Sequence, residues 1–297
     1  DDMKKLSKRK LKEIRFQTII EIIMILLMFA AFVPIILMVI MSLKSNWDII
    51  SDFFGWPEKI EWANYSNAFG KLYQSMVNTL SMIVVAVFLT LILSMVSGYV
   101  FAVMKFPGKN LLFMLLLVLM MIPGILSLAA NYNLIISYGL YNTRLALILP
   151  WISGGQILGI ILCRNSIEGL PTDLFEAAKI EGCGEIQAMI KIATPLARPM
   201  LATIAVMKTV DYYNDFIWPM MVIESNTKQV ITVAVKVFNA AQGTVNIGAM
   251  FAGYVVATIP LRIYILLLRR KKQYAEMFLR GCETVVQLLQ PDKNSVC

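Results

Sequence analysis

Three ionisable residues, Lys208, Asp211 and Asp215, stand three and four residues apart inside a stretch that is otherwise mostly apolar. That spacing sets them on one face of a helix. Tyr212 and Asn214 add polar atoms beside them. A charge at the centre of a bilayer costs about 2.5–3.5 kcal/mol on insertion scales. Such a stripe therefore faces protein or a water-filled path, not lipid. Two readings stay open: it walls or gates a translocation path, or Lys208 pairs with Asp211 and fixes helix packing. A proton relay is a third, but the other apolar stretches offer no acidic partner at depth.

Other chemistries find no residues. The chain has no histidine, which removes imidazole bases and imidazole metal ligands. The cysteines, Cys163, Cys183, Cys282 and Cys297, form no C-x-x-C pair, so neither a zinc site nor a redox motif is expected. No G-x-x-x-x-G-K-S/T phosphate loop occurs, and Gly182 and Gly184 are flanked by Glu181 and Glu185, poor neighbours for phosphate. No H-E-x-x-H or G-x-S-x-G motif is present. The expectation is no catalytic residue, no metal site and no enzymatic activity in this chain.

The elements that hold the stripe are membrane spans. Of 297 residues, 58% are hydrophobic and 15% charged, against about 25% charged in a soluble domain. Mean hydropathy is +0.70. A spanning helix needs about 20 apolar residues. Six segments meet or nearly meet this: 17–43, 77–104, 111–130, 145–163, 200–223 and 245–268. Lys4, Lys5, Lys8, Arg9, Lys10, Lys12 and Arg15 precede the first, and Arg269 to Lys272 follow the last. Lys105 and Lys109 sit between the second and third, and Arg164, Lys179, Lys191 and Arg198 between the fourth and fifth. By the positive-inside rule these regions are cytoplasmic, and the basic blocks are anchors, not nucleic-acid sites. The fold expected is an all-α integral membrane protein of six transmembrane helices with both termini inside. It divides into a basic segment 1–16, a helical domain 17–272 and a cytoplasmic tail 273–297. Loops 44–76, 131–144 and 224–244 face outward. Asn78 and Gln156 are expected to bond between helices, and Asn131-Tyr132-Asn133 to lie at the outer rim.

One connection, 168–199, is too polar for lipid and reads as a two-helix elbow. In the first helix Leu174, Phe175 and Ala178 share one face, and Asp173, Glu176 and Lys179 the other. Gly182 supplies a left-handed residue at the helix end. In the second, Ile186, Met189, Ile190 and Ala193 recur at amphipathic spacing. Pro195 is expected to end it and Pro199 to open the next span.

The elbow has a counterpart. Glu176-Ala177-Ala178, three residues, Gly182, nine residues, Ile192, one residue and Thr194-Pro195 resembles the EAA loop of binding-protein-dependent ABC transporter permeases. Thr194 stands where that family has leucine. Ser42-Leu43-Lys44, Asn78-Thr79-Leu80, Gly98 to Ala102 with Phe106-Pro107-Gly108, and Gly139 to Thr143 resemble its carbohydrate branch, of the maltose-type inner permease. Tyr213-Asn214-Asp215-Phe216-Ile217-Trp218-Pro219 resembles that branch's W-N-D-F-x-W-P. The likeness runs from about Phe32 to Gly281. Arg262 and the tail after Gly281 depart from the pattern.

The resemblance implies a sugar or oligosaccharide importer. It implies a second homologous permease subunit, two ATPase subunits that hold ATP and Mg, and an extracytoplasmic sugar-binding protein, in a bacterial plasma membrane. It assigns coupling to the ATPase to Glu176, Ala177, Ala178, Gly182, Leu174, Phe175, Ile192 and Pro195. A translocation path or gate then includes Lys208, Asp211, Asn214, Asp215 and Trp218. Gln229, Asn239 and Gln242 would lie in the loop that approaches the binding protein. A glycerol phosphate permease is the alternative within transport, and a proton-coupled carrier using Asp211 and Asp215 the alternative outside the family.

Overall fold

The computed structural model describes residues 2–242, 246–264 and 266, with side chains from Phe16 onward except that of Gln242. The basic N-terminal side chains, Arg269 to Lys272, Cys282, Cys297 and the tail 273–297 lie outside the described set. Every regular element among the described residues is helical.

Two compact units divide the chain: residues 1–72 with 237–256, and residues 73–236 with 257 onward. The first contains α1 (Asp2–Ser42) and α2 (Asn46–Ser51), with the beginning of α3 (Ala63–Val103) and most of α13 (Ile247–Tyr264). Residues Phe16–Ser42 of α1 form an apolar stretch whose most apolar window buries nothing against the chain. Its end is tied down by polar bonds. Lys44 is fully buried, and its Nζ donates to the Asp52 carbonyl at 2.6 Å. That carbonyl lies at the C-terminal end of α2, where a cation is favoured. Ser45 caps the start of α2 by accepting the Asp48 N–H. Asn64 donates to the Ser42 and Lys44 carbonyls, each at 3.1 Å.

The second unit carries the rest of α3, α4 (Lys109–Met121), α5 (Leu128–Ser137) and α6 (Leu145–Glu168). The elbow follows as α7 (Thr172–Ile180), α8 (Glu185–Ala188), a wide π turn over Met189–Ala193 and α9 (Thr194–Leu196). Then come α10 (Arg198–Asn214), α11 (Ile217–Val222) and α12 (Ile231–Gln242), which runs into the first unit. Small residues let α3, α6 and α10 approach closely. A Cβ on Gly98 would sit 2.5 Å from the Cys163 Cβ, and one on Gly159 would sit 2.1 Å from the Ser94 Oγ.

The described helices include four long and apolar enough to cross a membrane: the 16–42 stretch of α1, α3, α6 and α13. The number reaches six if each of two bent pairs counts as one span. Several sequence expectations change. Segments 44–76 and 131–144 are not plain loops: α2 and the start of α3 from Ala63 lie in the first, and α5 runs to Ser137 in the second. The segment 111–130 is not one helix: α4 stops at Met121, and the chain bends by 91° before Gly124–Ser137. Pro123 has no N–H to continue the ladder. The segment 200–223 is broken as well. Asp215 leaves α10 in an extended conformation, and its Oδ1 accepts the Trp218 N–H at 3.4 Å, in the manner of a helix cap. The segment 224–244 is not a plain loop, because α12 occupies half of it. Ile231, Val235, Phe238 and Asn239 form its buried stripe, at spacings of four, seven and eight from the first. That is a helical period inside a stretch too short to register as a span.

Candidate functional site

The elbow is built by local rules at its hinge and by long-range bonds at its sides. α7 ends at Gly182, whose φ of +79° is left-handed. The Cys183 N–H donates to the Ala178 carbonyl at 2.9 Å and the Gly182 N–H to the Lys179 carbonyl at 3.0 Å. This pair of bonds is the Schellman closure of a helix, which favours glycine at that position. Phe175 and Ala178 are buried. Phe175 belongs to a cluster with Met95, Tyr99, Ile167, Ala193 and Ala197, so this face packs back on the chain. Leu174, Glu176 and Ala177 face out, and Ile192 is half-buried against the cluster.

Of the stripe its spacing predicts, the second helix turns Met189 and Ala193 inward against the cluster but not Ile186 and Ile190. Ala188 and Ala193 are buried, while Ile186 and Ile190 are 70% and 58% exposed. Glu185 explains the difference. The Tyr99 hydroxyl donates to its Oε2 at 3.0 Å, and Lys179 pairs with its Oε1 at 3.0 Å. Drawing Glu185 inward carries Ala188 and Ile192 with it, one residue round from the predicted stripe. The Lys179 ammonium, and after it the Tyr99 hydroxyl, hold the Glu185 carboxyl below the usual carboxylate range. The helical run ends at Leu196, one residue past Pro195, and the chain bends by 75° before Arg198–Asn214. The Thr194 N–H and hydroxyl both donate to the Met189 carbonyl, the hydroxyl at 2.8 Å, across the wide turn. Ile180, 88% exposed, joins Leu174, Ile186 and Ile190 among the outward apolar side chains of the elbow. Beside it an open groove of about 370 Å³ is lined by Lys105, Glu168, Thr172, Glu176 and Lys179.

The charged stripe lies on α10 and faces α6. An open cavity of about 480 Å³ there is lined by Trp151, Gly154, Lys208, Asp211, Asn214 and Asp215. Lys208 Nζ meets Asp211 Oδ2 at 2.8 Å, so the internal ion pair forms and also lines the cavity. Trp151 stacks on Tyr212 with ring centroids 5.3 Å apart and planes 8° from parallel. Its indole N–H donates to Asp215 Oδ2 at 2.7 Å, and the Tyr212 hydroxyl donates to the Trp151 carbonyl at 2.7 Å. Thr90 adds a bond to that hydroxyl at 3.0 Å. Trp218 is not in the lining. It is buried and donates to the Ala146 carbonyl at 2.9 Å. Sequence reasoning missed Trp151 and Gly154. The available signal was an indole in a span, which needs an acceptor for its N–H, three residues before a small-residue pair.

The segment expected to carry Gln229, Asn239 and Gln242 to the surface does otherwise. Gln229 is buried and spends both ends internally, donating to the Ile223 carbonyl and accepting the Val230 N–H. Asn239 is buried within α12, and its amide has no hydrogen-bond partner. The Gln242 side chain lies outside the described set. Loop 223–230 is instead fastened to its neighbours. Asn142, itself left-handed at φ 58°, accepts the Glu224 and Ser225 N–H groups and takes the Lys228 ammonium on its carbonyl. Asn78 donates to the Thr227 carbonyl at 2.7 Å and accepts from Arg144. No group of three or more His, Cys, Asp or Glu among the described residues is placed to hold a metal.

A family model described as the binding-protein-dependent transport system inner membrane component matches residues 62–271. The chain belongs to that family. It is a membrane-integral transport component and not an enzyme of its own. It is 29% identical over 260 residues to the diacetylchitobiose uptake system permease protein NgcG of Streptomyces coelicolor, covering 86% of each chain. It is 30% identical over 246 residues to the trehalose transport system permease protein SugB of Mycobacterium tuberculosis, covering 81% of this chain and 89% of that one. It is 33% identical over 193 residues to the arabinooligosaccharides transport system permease protein AraQ of Halalkalibacterium halodurans, covering 65% and 68%. Among solved structures, a bacterial ABC transporter involved in import of the acidic polysaccharide alginate has a chain of the same fold. Its TM-score is 0.75 at 22% identity, over 86% of this chain and 95% of that chain. A chain of the MetNI methionine ABC transporter gives 0.55 at 18% identity, over 70% and 97%.

Proposed function

We propose that the chain is one of two permease subunits of an importer that carries a sugar or oligosaccharide across a bacterial plasma membrane. Two ATPase subunits supply the energy and hold ATP and Mg, with no cofactor in this chain. An extracytoplasmic sugar-binding protein delivers the cargo. Membership of the transport family and the carbohydrates named for NgcG, SugB and AraQ support the substrate class. The basic residues around the elbow support its placement in the cytoplasm.

The observation that carries the reading is the elbow's construction. Leu174, Ile180, Ile186 and Ile190 turn outward beside Glu176, while Phe175, Ala178 and Ala193 pin the same helices to the spans. Exposed apolar side chains on a body locked to the chain suit a docking piece that passes ATPase closure to the spans. The cavity between α6 and α10 serves as part of the path. Its lining cation is paired with an acid, so it suits an uncharged polyol better than a phosphate ester. The same pairing leaves Asp211 poorly placed as a proton carrier.

The test is the reconstituted transporter with Glu176→Lys in this chain. The expected result is insertion at normal levels with loss of sugar-stimulated ATP hydrolysis. Diacetylchitobiose, trehalose and an arabinooligosaccharide are the first sugars to try. Normal coupled transport by the variant would overturn the docking role, and proton-gradient-driven uptake by the lone chain would overturn the class.

A further inference from the structure

α3 is fastened by polar side chains at two levels of one continuous helix. At the first level, in the helix interior, Asn78 donates to the Thr227 carbonyl at 2.7 Å and to the Gln229 carbonyl at 3.4 Å. The next residue, Thr79, accepts the Ile231 N–H at 2.8 Å. At the second, near the C-terminal end of α3, the Tyr99 hydroxyl donates to Glu185 at 3.0 Å, and its ring packs on Phe175 with centroids 6.2 Å apart. At a rise of about 1.5 Å per residue, the two clamps stand about 30 Å apart along the axis. That is about the thickness of the hydrocarbon core.

Between the clamps, α3 presents a buried face to α6 and α10. Thr90 bonds the Tyr212 hydroxyl at 3.0 Å, Ser94 donates to the Gln156 carbonyl at 3.4 Å, and Gly98 lies against Cys163. Neither clamp is a matter of chain connectivity, since 149 residues separate Asn78 from Thr227 and 86 separate Tyr99 from Glu185. A helix cannot shorten without breaking its ladder. A helix held at two levels therefore moves both levels together.

We propose that α3 is a strut joining loop 223–231 on the outer side to the elbow on the inner side, with Asn78 and Thr79 as its outer fastening and Tyr99 and Glu185 as its inner one. The inner and outer labels, and the value of such a link to a transporter, rest on the reading of the elbow as the ATPase docking piece. The strut delivers elbow motion to a helix that is not its neighbour in sequence. It also gives the outer loop a mechanical line to the ATPase. A contiguous set of contacts is no proof of coupling, whereas reciprocity between the two ends is.

Hydrogen–deuterium exchange on the assembled transporter, with its ATPase subunits bound, measures that reciprocity without a sugar. Asn78→Ala is expected to raise exchange several-fold in residues 172–188 as well as in its own loop. Glu185→Ala is expected to raise it several-fold in residues 223–231, and Tyr99→Phe to do the same to a smaller extent. Amides of α6 and α10 serve as internal references and stay unchanged. A rise confined to the mutated end overturns the strut. So does a rise across α6 and α10 as well, which marks general loosening. Thr79→Val, which removes the acceptor of the Ile231 N–H, replaces Asn78→Ala if that variant does not insert. The Glu176→Lys experiment tests the docking reading separately. A dead Glu176→Lys with purely local exchange effects would sink the strut alone.

Discussion

The elbow and the cavity between α6 and α10 are both polar constructions in an apolar chain, and they are held by different means. The elbow closes its own hinge through backbone bonds within one short stretch, from Ala178 to Cys183. The cavity wall is closed by side chains that begin far apart: Trp151 and Asp215 are 64 residues apart, Thr90 and Tyr212 are 122. A hinge made of local bonds can swing as a unit. A wall made of cross-helix bonds holds only while its helices stay in register.

The sharpest way to break that comparison is to force α3 away from α6, the helix that carries Trp151. Gly98→Val places its first carbon 2.5 Å from the Cys163 Cβ and 3.0 Å from the Arg164 backbone nitrogen. Backbone cannot step aside cheaply, and overpacking of this kind costs typically about 1–3 kcal/mol or more. The variant is expected to insert poorly and to lose transport, as read by the yield of folded protein in detergent and by uptake. Gly154→Ala is the matched control. Nothing lies within 4 Å of its new carbon, so folding should survive and only the cavity should narrow.

Next in size is the hinge. Gly182→Ala keeps the chain's contacts but forces a side chain into a left-handed conformation, at about 1–2 kcal/mol. Since nothing crowds that position, the cost is conformational alone. Proteolytic nicking between Ile180 and Glu185 should rise while the thermal midpoint of the spans moves little. An equal fall in both would mean that elbow and spans unfold as one piece.

These two experiments mirror what the sequence discloses. Gly182, the extent of α7 and the Lys208–Asp211 pair follow from rules that operate within one helical turn, and each is legible without a structure. The four long helices are legible too, because hydropathy sums over many residues. The same summing hides the breaks at Pro123 and Asp215 and conceals α12 inside a loop. The partner of Trp151, the inward face of the second elbow helix and the burial of Gln229 depend on residues brought together only by packing. No local pattern specifies them.

A smaller effect comes from pH at the elbow. The carboxyl of Glu185 is held below its ordinary value of 4.5 by Lys179 and then Tyr99. Its ionised form therefore favours the folded elbow. That contribution is complete above the ordinary value and is lost as pH falls through the lowered one. Protection of the elbow amides should be flat across neutral pH and weaken in acid, more than in Glu185→Gln. Equal acid sensitivity in both proteins would show that another group governs the elbow. The hinge bonds are backbone bonds and should not respond, which separates the two halves of the elbow's support.

The smallest expected effect is at Thr194, where the EAA-loop pattern that this stretch resembles has leucine. Thr194→Leu removes the hydroxyl bond to the Met189 carbonyl but leaves the backbone N–H on the same oxygen. The acceptor is not orphaned, so the loss is about that of one exchangeable hydrogen bond, about 0.5–1.5 kcal/mol. The half-buried leucine side chain offsets part of it by covering apolar surface. A shift in thermal midpoint of no more than a few degrees, with normal ATP-coupled uptake, is the expected outcome. A larger loss would show that the wide turn depends on the hydroxyl and not on its backbone bond. The threonine would then be part of how this chain sets the angle between α8 and α10.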